Sequence, residues 1–230
     1  MANDNQNLEK LTAAKAAINY VKNNDVVGLG TGSTATLAIK ELAKRLKDGF
    51  KITGVPSSEA TKELAISLGI PLLALGKVNS IDVSIDGADE FTKEFNLIKG
   101  GGGALFREKI VASLSKKRII VTDGSKLVDK LGAFKVPIEI DLNAEKYVML
   151  KLKKLKGKPV KRVEGRKTFI TDNQNYILDT DFGLIDDPGK LANELNQIDG
   201  ILAHGIFVNL TDTIIMAKGD MITSYHRVIF

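Results

Sequence analysis

Five side chains in this sequence place acidic and basic groups close to glycine-rich turns, a combination suited to moving protons. They are Asp86, Asp89, Lys99, Glu108 and Lys126. A carboxylate can act as a general base, and an ammonium group can stabilise an oxyanion that develops beside it. No motif for a hydride carrier and no nucleophilic Ser–His pair accompanies them. The set therefore predicts proton transfer next to a carbonyl group.

A glycine loop, Gly28-Leu-Gly-Thr-Gly-Ser-Thr34, follows a predicted strand and precedes a predicted helix. Backbone N–H groups at such a helix start, together with the hydroxyls of Thr31, Ser33 and Thr34, suit one phosphate group. A dinucleotide fits less well, because the next predicted strand ends Val55-Pro-Ser-Ser, without an acid that could hold a ribose. A plain glycine turn with Ser33 as the helix cap is the alternative interpretation.

Asp86 and Asp89 come at the carboxyl end of a predicted strand and in the turn after it. Ligands of open α/β sheets bind beyond these strand ends, so we expect both acids to face the same crevice as the glycine loop. The alternative is an Asx-type turn in which both carboxylates bind the local backbone, and it fits Asp89 best when that residue is taken alone.

Lys99 and Glu108 frame four consecutive glycines and the start of a predicted helix over 104–115. Ordering each glycine costs about 0.5–1 kcal/mol of backbone entropy, which suggests that something approaches the main chain closely. Glu108 shares a helix face with apolar residues, so we expect it to be at least partly buried, with a pKa raised towards that of a general base. A flexible linker, and a buried ion pair of Glu108 with Arg107 or a distant lysine, are the alternatives.

Lys126 closes the segment Asp123-Gly-Ser-Lys126 after another predicted strand. It could add a second positive charge to a phosphate, although an ordinary exposed lysine is equally compatible with the local sequence. The two histidines, His204 and His226, lie in no metal-ligand pattern, and the chain has no cysteine. We therefore expect no zinc site.

Strand-like and helix-like segments alternate through the first half of the chain, which predicts a Rossmann-like, mostly parallel sheet covered by helices on both faces. Ser33 and either Ser57 or Ser58 are expected to cap two of these helices. The predicted strands are Val26–Gly30, Ile52–Val55, Pro71–Leu75, Ile81–Asp86 and Arg118–Thr122.

The pattern changes near Leu131 to one typical of a small α+β domain. Strands are predicted over 135–140, 159–164, 168–180 with a turn around 172–175, and 201–209, and helices over 144–155 and 188–197. This order indicates a ferredoxin-like domain over 131–206. The catalytic domain would then comprise 1–130 and 207–230, with a last strand over 213–218 that rejoins it.

The composition is that of an ordinary soluble protein, with 43% hydrophobic and 27% charged residues. There is no apolar run of membrane-spanning length and no apolar signal-peptide core, so we expect a cytoplasmic location and no membrane partner. Ten lysines and arginines lie between Lys146 and Lys167, with Glu164 as the one acid among them. We interpret this basic run as the solvated face of a lysine-rich helix and its following turn, rather than as a nucleic-acid patch.

Four motifs taken together resemble the successive motifs of the A-type ribose-5-phosphate isomerase family. They are Gly30-Thr-Gly-Ser-Thr-Ala35, Ser84-Ile-Asp-Gly-Ala-Asp-Glu90, Lys99-Gly-Gly-Gly-Gly-Ala-Leu105 with Arg107-Glu-Lys109, and Asp123-Gly-Ser-Lys126. The resemblance continues to the C-terminus without a departure at a matched functional position. It implies a metal- and cofactor-independent interconversion of ribose 5-phosphate and ribulose 5-phosphate in the non-oxidative pentose phosphate pathway, by a homodimer or homotetramer.

By this resemblance Glu108 is the base that moves a proton between carbons 2 and 1, Lys99 stabilises the enediolate, and Asp86 assists ring opening and proton traffic. The residues expected to bind the substrate are Thr31, Gly32, Ser33, Thr34, Asp86, Gly87, Ala88, Asp89, Lys99, Gly100, Gly101, Gly102 and Lys126. The resemblance thus implies a small sugar phosphate as the partner, and neither nucleic acid nor a membrane.

Three other functions fit parts of the sequence. A sugar-phosphate sensor of the same fold would need a DNA-binding helix-turn-helix, which is not expected in the short segment before Val26. A coenzyme A transferase-like enzyme would also use a catalytic glutamate and would form a covalent thioester. A nucleic-acid-binding module would use the basic run and would show salt-sensitive retention of RNA or DNA.

Overall fold

The computed structural model describes residues 2–227, which form two compact units. The first unit comprises the chain up to Ala88, Ile110–Lys126 and the chain from Leu210, and the second comprises Asp89–Lys109 and Leu127–Asn209. The sequence-based division places 89–109 in the first domain instead, and that functional division stays a prediction. No helix within 2–227 is both long enough and apolar enough to cross a lipid bilayer.

The helices and strands follow one another along the chain with short connections. The helices are α1 (Ala2–Ala17), α2 (Ser33–Lys47), α3 (Glu59–Ser67), α4 (Leu105–Leu114), α5 (Glu145–Lys154) and α6 (Pro188–Asn196). The strands are β1 (Asp25–Leu29), β2 (Ile52–Pro56), β3 (Ile81–Asp86), β4 (Glu90–Phe91), β5 (Leu97–Ile98), β6 (Ser115–Asp123), β7 (Val136–Ile140), β8 (Lys158–Lys161), β9 (Val163–Glu164), β10 (Lys167–Thr168), β11 (Tyr176–Asp181), β12 (Ile201–His204), β13 (Ile206–Phe207), β14 (Thr213–Lys218) and β15 (Met221–His226).

The first unit is built on a six-stranded sheet in the order β15-β14-β6-β3-β1-β2. Every neighbouring pair in it is parallel except β14 with β15. Alternate residues of four strands point into one apolar cluster together with α1 and α2, as a period of two requires for strands covered by helices. These strand residues are Val27, Leu29, Val83, Ile85, Ile119, Val121, Ile215 and Ala217.

The second unit contains a four-stranded antiparallel sheet in the order β12-β7-β11-β8. Along the chain its elements follow the order β7, α5, β8, β11, α6, β12. When the four strands are numbered in that order, their positions across the sheet are 4-1-3-2, which is the ferredoxin-like arrangement. The predicted fold class is therefore confirmed in both of its parts. A second sheet of this unit pairs β13 with β5 and β5 with β4, all antiparallel.

Several local predictions hold and others need correction. Ser58 caps α3, with its hydroxyl accepting a hydrogen bond from the Thr61 amide, and β14 rejoins the first sheet beside β6 as predicted. The predicted strand over 71–75 was wrong, because Leu72 makes only a single parallel bridge to Gly54 and a 3₁₀ turn begins at Leu75. Strand β15 went unpredicted, since it lies at the sheet edge and its exposed residues leave no apolar pattern.

Candidate functional site

Gly30 follows β1 and Asp86 ends the neighbouring strand β3, so the two residues lie side by side at the carboxyl end of the first sheet. The amide of Thr31 donates to Asp86 Oδ1 at 3.1 Å, and the amide of Gly87 donates to the same oxygen at 2.8 Å. A Cβ atom on Gly30 would come within 2.6 Å of the Asp86 Cα atom, so only glycine lets the two strand ends lie this close. Asp86 is thus fixed against the glycine loop, and the residue is 8% exposed.

The start of α2 presents the groups that were predicted to hold an anion. Gly32 is the N-cap residue, with a φ of 98° and open space where a side chain would lie. Ser33 is the first residue inside the helix, so the predicted Ser33 cap was wrong. A positive φ is needed to turn from the loop into the helix, and glycine adopts it readily. The exposed Ser33 and buried Thr34 therefore lie in a first turn whose amides suit an anion.

The Thr31 hydroxyl takes part in a cluster of hydroxyl groups that the sequence did not reveal. Its Oγ1 lies 2.8 Å from Ser57 Oγ and donates to Ser58 Oγ at 2.9 Å. Thr61 Oγ1 in turn donates to the carbonyl oxygen of Gly30 at 2.9 Å. These bonds fix the glycine loop to the first turn of α3 and the two serines before it, which links two segments about thirty residues apart.

Lys126 ends a 3₁₀ turn directly after β6 and is partly exposed. The turn is held by Asp123, which accepts hydrogen bonds from the Ser125 amide at 2.9 Å and from Gln6 at 3.2 Å. Burial opposes ionisation of Asp123, but the bonds from Ser125 and Gln6 and the nearby charge of Lys126 outweigh it and lower its pKa. The carboxylate is therefore ionised and anchors the segment that carries Lys126.

Lys99 and Glu108 form a buried ion pair in the second unit. Lys99 Nζ lies 3.7 Å from Glu108 Oε1, and each side chain is 4% exposed. Lys99 follows β5, and its amide donates to the Gly205 carbonyl at 2.8 Å. Glu108 lies in the first turn of α4, where its amide donates to the Ala104 carbonyl at 3.0 Å. The expected burial of Glu108 is confirmed. The alternative reading, a buried ion pair with a lysine, describes the same contact and does not exclude the role of base.

The glycine run between these residues is ordered and contacts Asp89. The amide of Gly101 donates to Asp89 Oδ2 at 2.8 Å. Gly100 and Gly103 have φ angles of 95° and 83°, which side chains rarely adopt. Gly101 and Gly102 are exposed, so the run presents main-chain groups to solvent rather than forming a flexible linker.

The predicted site residues therefore fall into two structural groups. Thr31, Gly32, Ser33, Thr34, Asp86, Gly87, Ala88 and Lys126 belong to the first unit, whereas Asp89, Lys99, Gly100, Gly101, Gly102 and Glu108 belong to the second. Direct contacts join Thr31 with Asp86, Asp89 with Gly101, and Lys99 with Glu108. That both groups act on one ligand stays a prediction.

A partly buried lysine next to Glu108 was missed in the sequence. Lys109 Nζ donates to the carbonyl oxygens of His204 at 2.7 Å and Ile206 at 3.1 Å, and it lies 4.8 Å from the centroid of the Phe207 ring. It also lies 3.3 Å from His204 Nδ1, while His204 Nε2 lies 3.1 Å from Asn196 Oδ1. No spacing rule would have revealed this network, because it joins residues 95 positions apart.

Burial is the largest cause of the pKa shifts of Lys109 and His204. It lowers the pKa of Lys109 to about 7, and burial together with the Lys109 charge lowers the pKa of His204 to about 3. His204 is therefore neutral near pH 7. Lys109 Nζ and Asn196 Oδ1 lie beside the two ring nitrogens of this neutral imidazole.

The Lys109 ammonium is expected to make stability depend on pH. Between about pH 7 and pH 10.5 the unfolded chain retains a proton that the native protein has lost. The free energy of unfolding should therefore rise with pH in this window, by up to about 1.4 kcal/mol per pH unit relative to Lys109→Met. Urea unfolding at several pH values measures the slope, and the exposed Lys153→Met is the control. Parallel curves for wild type and Lys109→Met would contradict the assignment.

Potential metal ligands are dispersed through the described part of the chain. Within residues 2–227, no three histidine, aspartate or glutamate side chains cluster in a way that could hold a metal ion. The expectation of a site without a metal or cofactor comes from the sequence and stays a prediction.

Comparison with known proteins identifies one family. The profile of ribose 5-phosphate isomerase A (phosphoriboisomerase A) matches residues 53–221. A ribose-5-phosphate isomerase A from Sphingopyxis alaskensis is 45% identical over 219 residues, which cover 95% of this chain and 96% of that protein. One from Rhizobium meliloti is 46% identical over 214 residues, which cover 90% and 93%.

Solved structures of the same kind superimpose over nearly the whole chain. Ribose 5-phosphate isomerase from Plasmodium falciparum gives a TM-score of 0.91 at 41% identity, covering 96% of this chain and 99% of that one. A D-ribose-5-phosphate isomerase in complex with phospho-erythronic acid gives 0.93 at 40% identity, with the same coverage. The chain therefore belongs to the ribose 5-phosphate isomerase A family.

Proposed function

We propose that this protein interconverts D-ribose 5-phosphate and D-ribulose 5-phosphate through an enediolate, with Glu108 as the base. The observation that carries the residue assignment is the buried Lys99–Glu108 pair, with 3.7 Å between the ammonium nitrogen and a carboxylate oxygen. A carboxylate and a cation held side by side away from water suit the removal of a proton next to a carbonyl group. The sensor alternative has no support, since the relatives are named as isomerases.

Glu108 would act on the open-chain aldose by taking the proton from carbon 2. The C2–H electron pair forms the C1–C2 double bond, and the carbonyl electrons move to oxygen 1, giving an enediolate. A proton then moves from oxygen 2 to oxygen 1, and protonated Glu108 returns its proton to carbon 1. The product is the ketose, and the carboxylate is regenerated, so no redox cofactor is consumed.

Lys99 would stabilise the negative charge that develops on the substrate oxygen. Its side chain is buried beside Glu108 and its backbone is fixed by the bond to Gly205, so little reorganisation is needed when the charge appears. The main chain of Gly101 and Gly102 is exposed, and the Gly102 N–H would add a donor there, while the Gly101 N–H holds Asp89. Removing one such donor from an oxyanion site costs about 100-fold or more in turnover, so these groups matter to rate as well as binding.

The remaining residues would hold the substrate in place. Thr31, Gly32, Ser33 and Thr34 at the start of α2 would bind the phosphate with Lys126, using helix N–H groups and a positive charge. Asp86, with Gly87, Ala88 and Asp89, would bind sugar hydroxyls, and Asp86 would assist ring opening. Binding the phosphate positions the reacting carbons, since remote contacts contribute to the rate at the reacting centre.

One assay tests the activity and the metal prediction together. Purified protein is incubated with ribose 5-phosphate in excess chelator, and ribulose 5-phosphate is measured. We expect full activity, equal to that without chelator, because neither the base nor the oxyanion partner requires a metal. Activity that disappears in chelator and returns with added divalent metal would contradict the metal-free assignment, and no isomerisation under any condition would refute the function.

We also propose a location, an oligomeric state and a domain division for this protein. We place it in the cytoplasm as a homodimer or homotetramer that acts on a free sugar phosphate, without a nucleic-acid partner. The catalytic domain would comprise 1–130 and 207–230, with the smaller domain at 131–206. Lys146, Lys153 and Lys154 are exposed while Val148 and Leu152 of the same helix are buried, which supports a solvated face for this part of the basic run.

A further inference from the structure

Arg162, within the basic run, binds the main chain of the glycine run (Gly100–Gly103) through its guanidinium group. Its Nη1 donates to the carbonyl oxygens of Gly100 at 3.1 Å and Gly101 at 3.0 Å. Its Nε donates to Asp179 Oδ2 at 2.9 Å, and its Nη2 donates to the other carboxylate oxygen at 2.5 Å. Two guanidinium nitrogens thus form a bidentate pair with the Asp179 carboxylate, and the third donates to the main chain. A lysine cannot reproduce this arrangement.

The direction of two peptide units follows from this contact. The peptide bonds that follow Gly100 and Gly101 are trans and planar, so each carbonyl oxygen points opposite to the N–H of the next residue. When Arg162 holds the carbonyls of Gly100 and Gly101, the N–H groups of Gly101 and Gly102 point away from it. The Gly101 N–H accordingly reaches the Asp89 carboxylate.

Phe169 fixes the end of the same run. Its ring lies 5.6 Å from the Arg162 guanidinium carbon, and its amide donates to the Arg162 carbonyl at 3.0 Å. A Cβ atom on Gly103 would come within 2.7 Å of the Phe169 ring, so the run packs against the ring at its last glycine. Arg162 and Phe169 therefore restrain one side of the run, while Gly101 and Gly102 remain exposed.

We infer that Arg162 is a positioning residue for the isomerisation. It holds the glycine run so that the Gly102 N–H can donate to a substrate oxygen and the Gly101 N–H orients the Asp89 carboxylate for sugar hydroxyls. Arg162 touches main-chain carbonyls rather than the reacting atoms, and Asp179 balances its charge, so its effect passes through peptide orientation. The inference rests on the proposed function, since the oriented groups are those assigned to the substrate there.

Arg162→Met tests this role, because methionine keeps an unbranched apolar side chain and removes every guanidinium donor. We expect kcat for ribose 5-phosphate to fall by about 10- to 100-fold, since small displacements of positioned groups have effects of this size. KM should change by less than about threefold, because the phosphate contacts are untouched. Arg166→Met is the matched control, an exposed arginine in the same segment, and its kcat should equal that of wild type.

Chemical rescue separates positioning from general structural support. Free guanidinium, added well below denaturing concentrations, should raise the kcat of Arg162→Met and leave wild type and Arg166→Met unchanged. If Arg162→Met fails to fold, Arg162→Lys provides the test. Lysine keeps the charge near Asp179 but cannot hold two carbonyls as well, so kcat should again fall by about tenfold with KM nearly constant.

The outcomes distinguish this inference from the proposed function. A folded Arg162→Met enzyme with wild-type kcat, a kcat loss shared equally by Arg166→Met, or a loss that guanidinium never reverses would overturn the positioning role while leaving the isomerase assignment intact. When lysine is the variant used, wild-type kcat likewise overturns it. A wild-type protein that does not isomerise ribose 5-phosphate would instead refute the proposed function itself.

Discussion

Replacing Glu108 by glutamine is expected to lower kcat by about 100-fold or more while the protein stays folded. Glutamine has nearly the same shape as glutamate, and it can still accept a hydrogen bond, but it cannot take a proton from carbon 2. KM should change little, because the phosphate-binding groups are unaltered. Steady-state conversion of ribose 5-phosphate to ribulose 5-phosphate measures both constants.

A second buried glutamate in the same unit supplies a matched control. Glu139 is fully buried, and its Oε1 accepts hydrogen bonds from Thr171, Asn173 and Asn175. Glu139→Gln makes the same change in a buried setting and should retain kcat within a few-fold. A large loss in both variants would point to a general effect of changing buried carboxylates, whereas near-normal turnover in Glu108→Gln would remove Glu108 from the role of base.

Proton exchange with solvent gives an independent measure of the same step. An enediolate whose proton is held by a carboxylate can exchange that proton with deuterated water before it is returned to carbon. Wild-type enzyme should therefore incorporate deuterium into the sugar, and Glu108→Gln should incorporate it more slowly by a factor similar to the loss in kcat. Undiminished incorporation in the variant would show that another group removes the proton.

The sequence predicted those features that depend on local periodicity and strand order. Glu108 was expected to be buried because its helix face carries apolar residues, and it is. The ferredoxin-like order was expected because strands and helices alternate in a recognisable sequence, and the four-stranded sheet has it. The first prediction depends on the residues of one helix, and the second on the order of elements along 131–206.

The features that could not be predicted depend on side chains far apart along the chain. The bonds of Arg162 to Gly100 and Gly101 span about sixty residues, and the charge pattern around Arg162 suggested only a solvated basic face. Ser33 was expected to cap α2 because its residue type favours caps, but the positive φ of Gly32 makes that glycine the N-cap. Local propensity gave the wrong residue there because the backbone turn determines where the helix begins.

Replacing Lys99 by methionine is expected to lower kcat by about 100-fold, since the enediolate would form without the adjacent ammonium group. Affinity for phospho-erythronic acid, chosen as an analogue of the enediolate, should fall as well. That compound carries a planar anionic carboxylate, which resembles an enediolate in charge and shape. Turnover assays and calorimetric titration measure the two effects, and Lys153→Met, on the exposed face of α5, should change neither.

The same substitution also removes the ammonium group from the buried ion pair with Glu108. Breaking a buried ion pair by removing one partner typically costs about 3–5 kcal/mol of the free energy of unfolding. The double variant Lys99→Met/Glu108→Gln should regain much of that stability, because both charges of the pair are removed together, yet its activity should stay at least as low as that of either single variant. If Lys99→Met instead retained wild-type kcat and phospho-erythronic acid affinity, the Lys99 ammonium would have a structural role only, and the enediolate charge would have to be stabilised by the main chain of the glycine run.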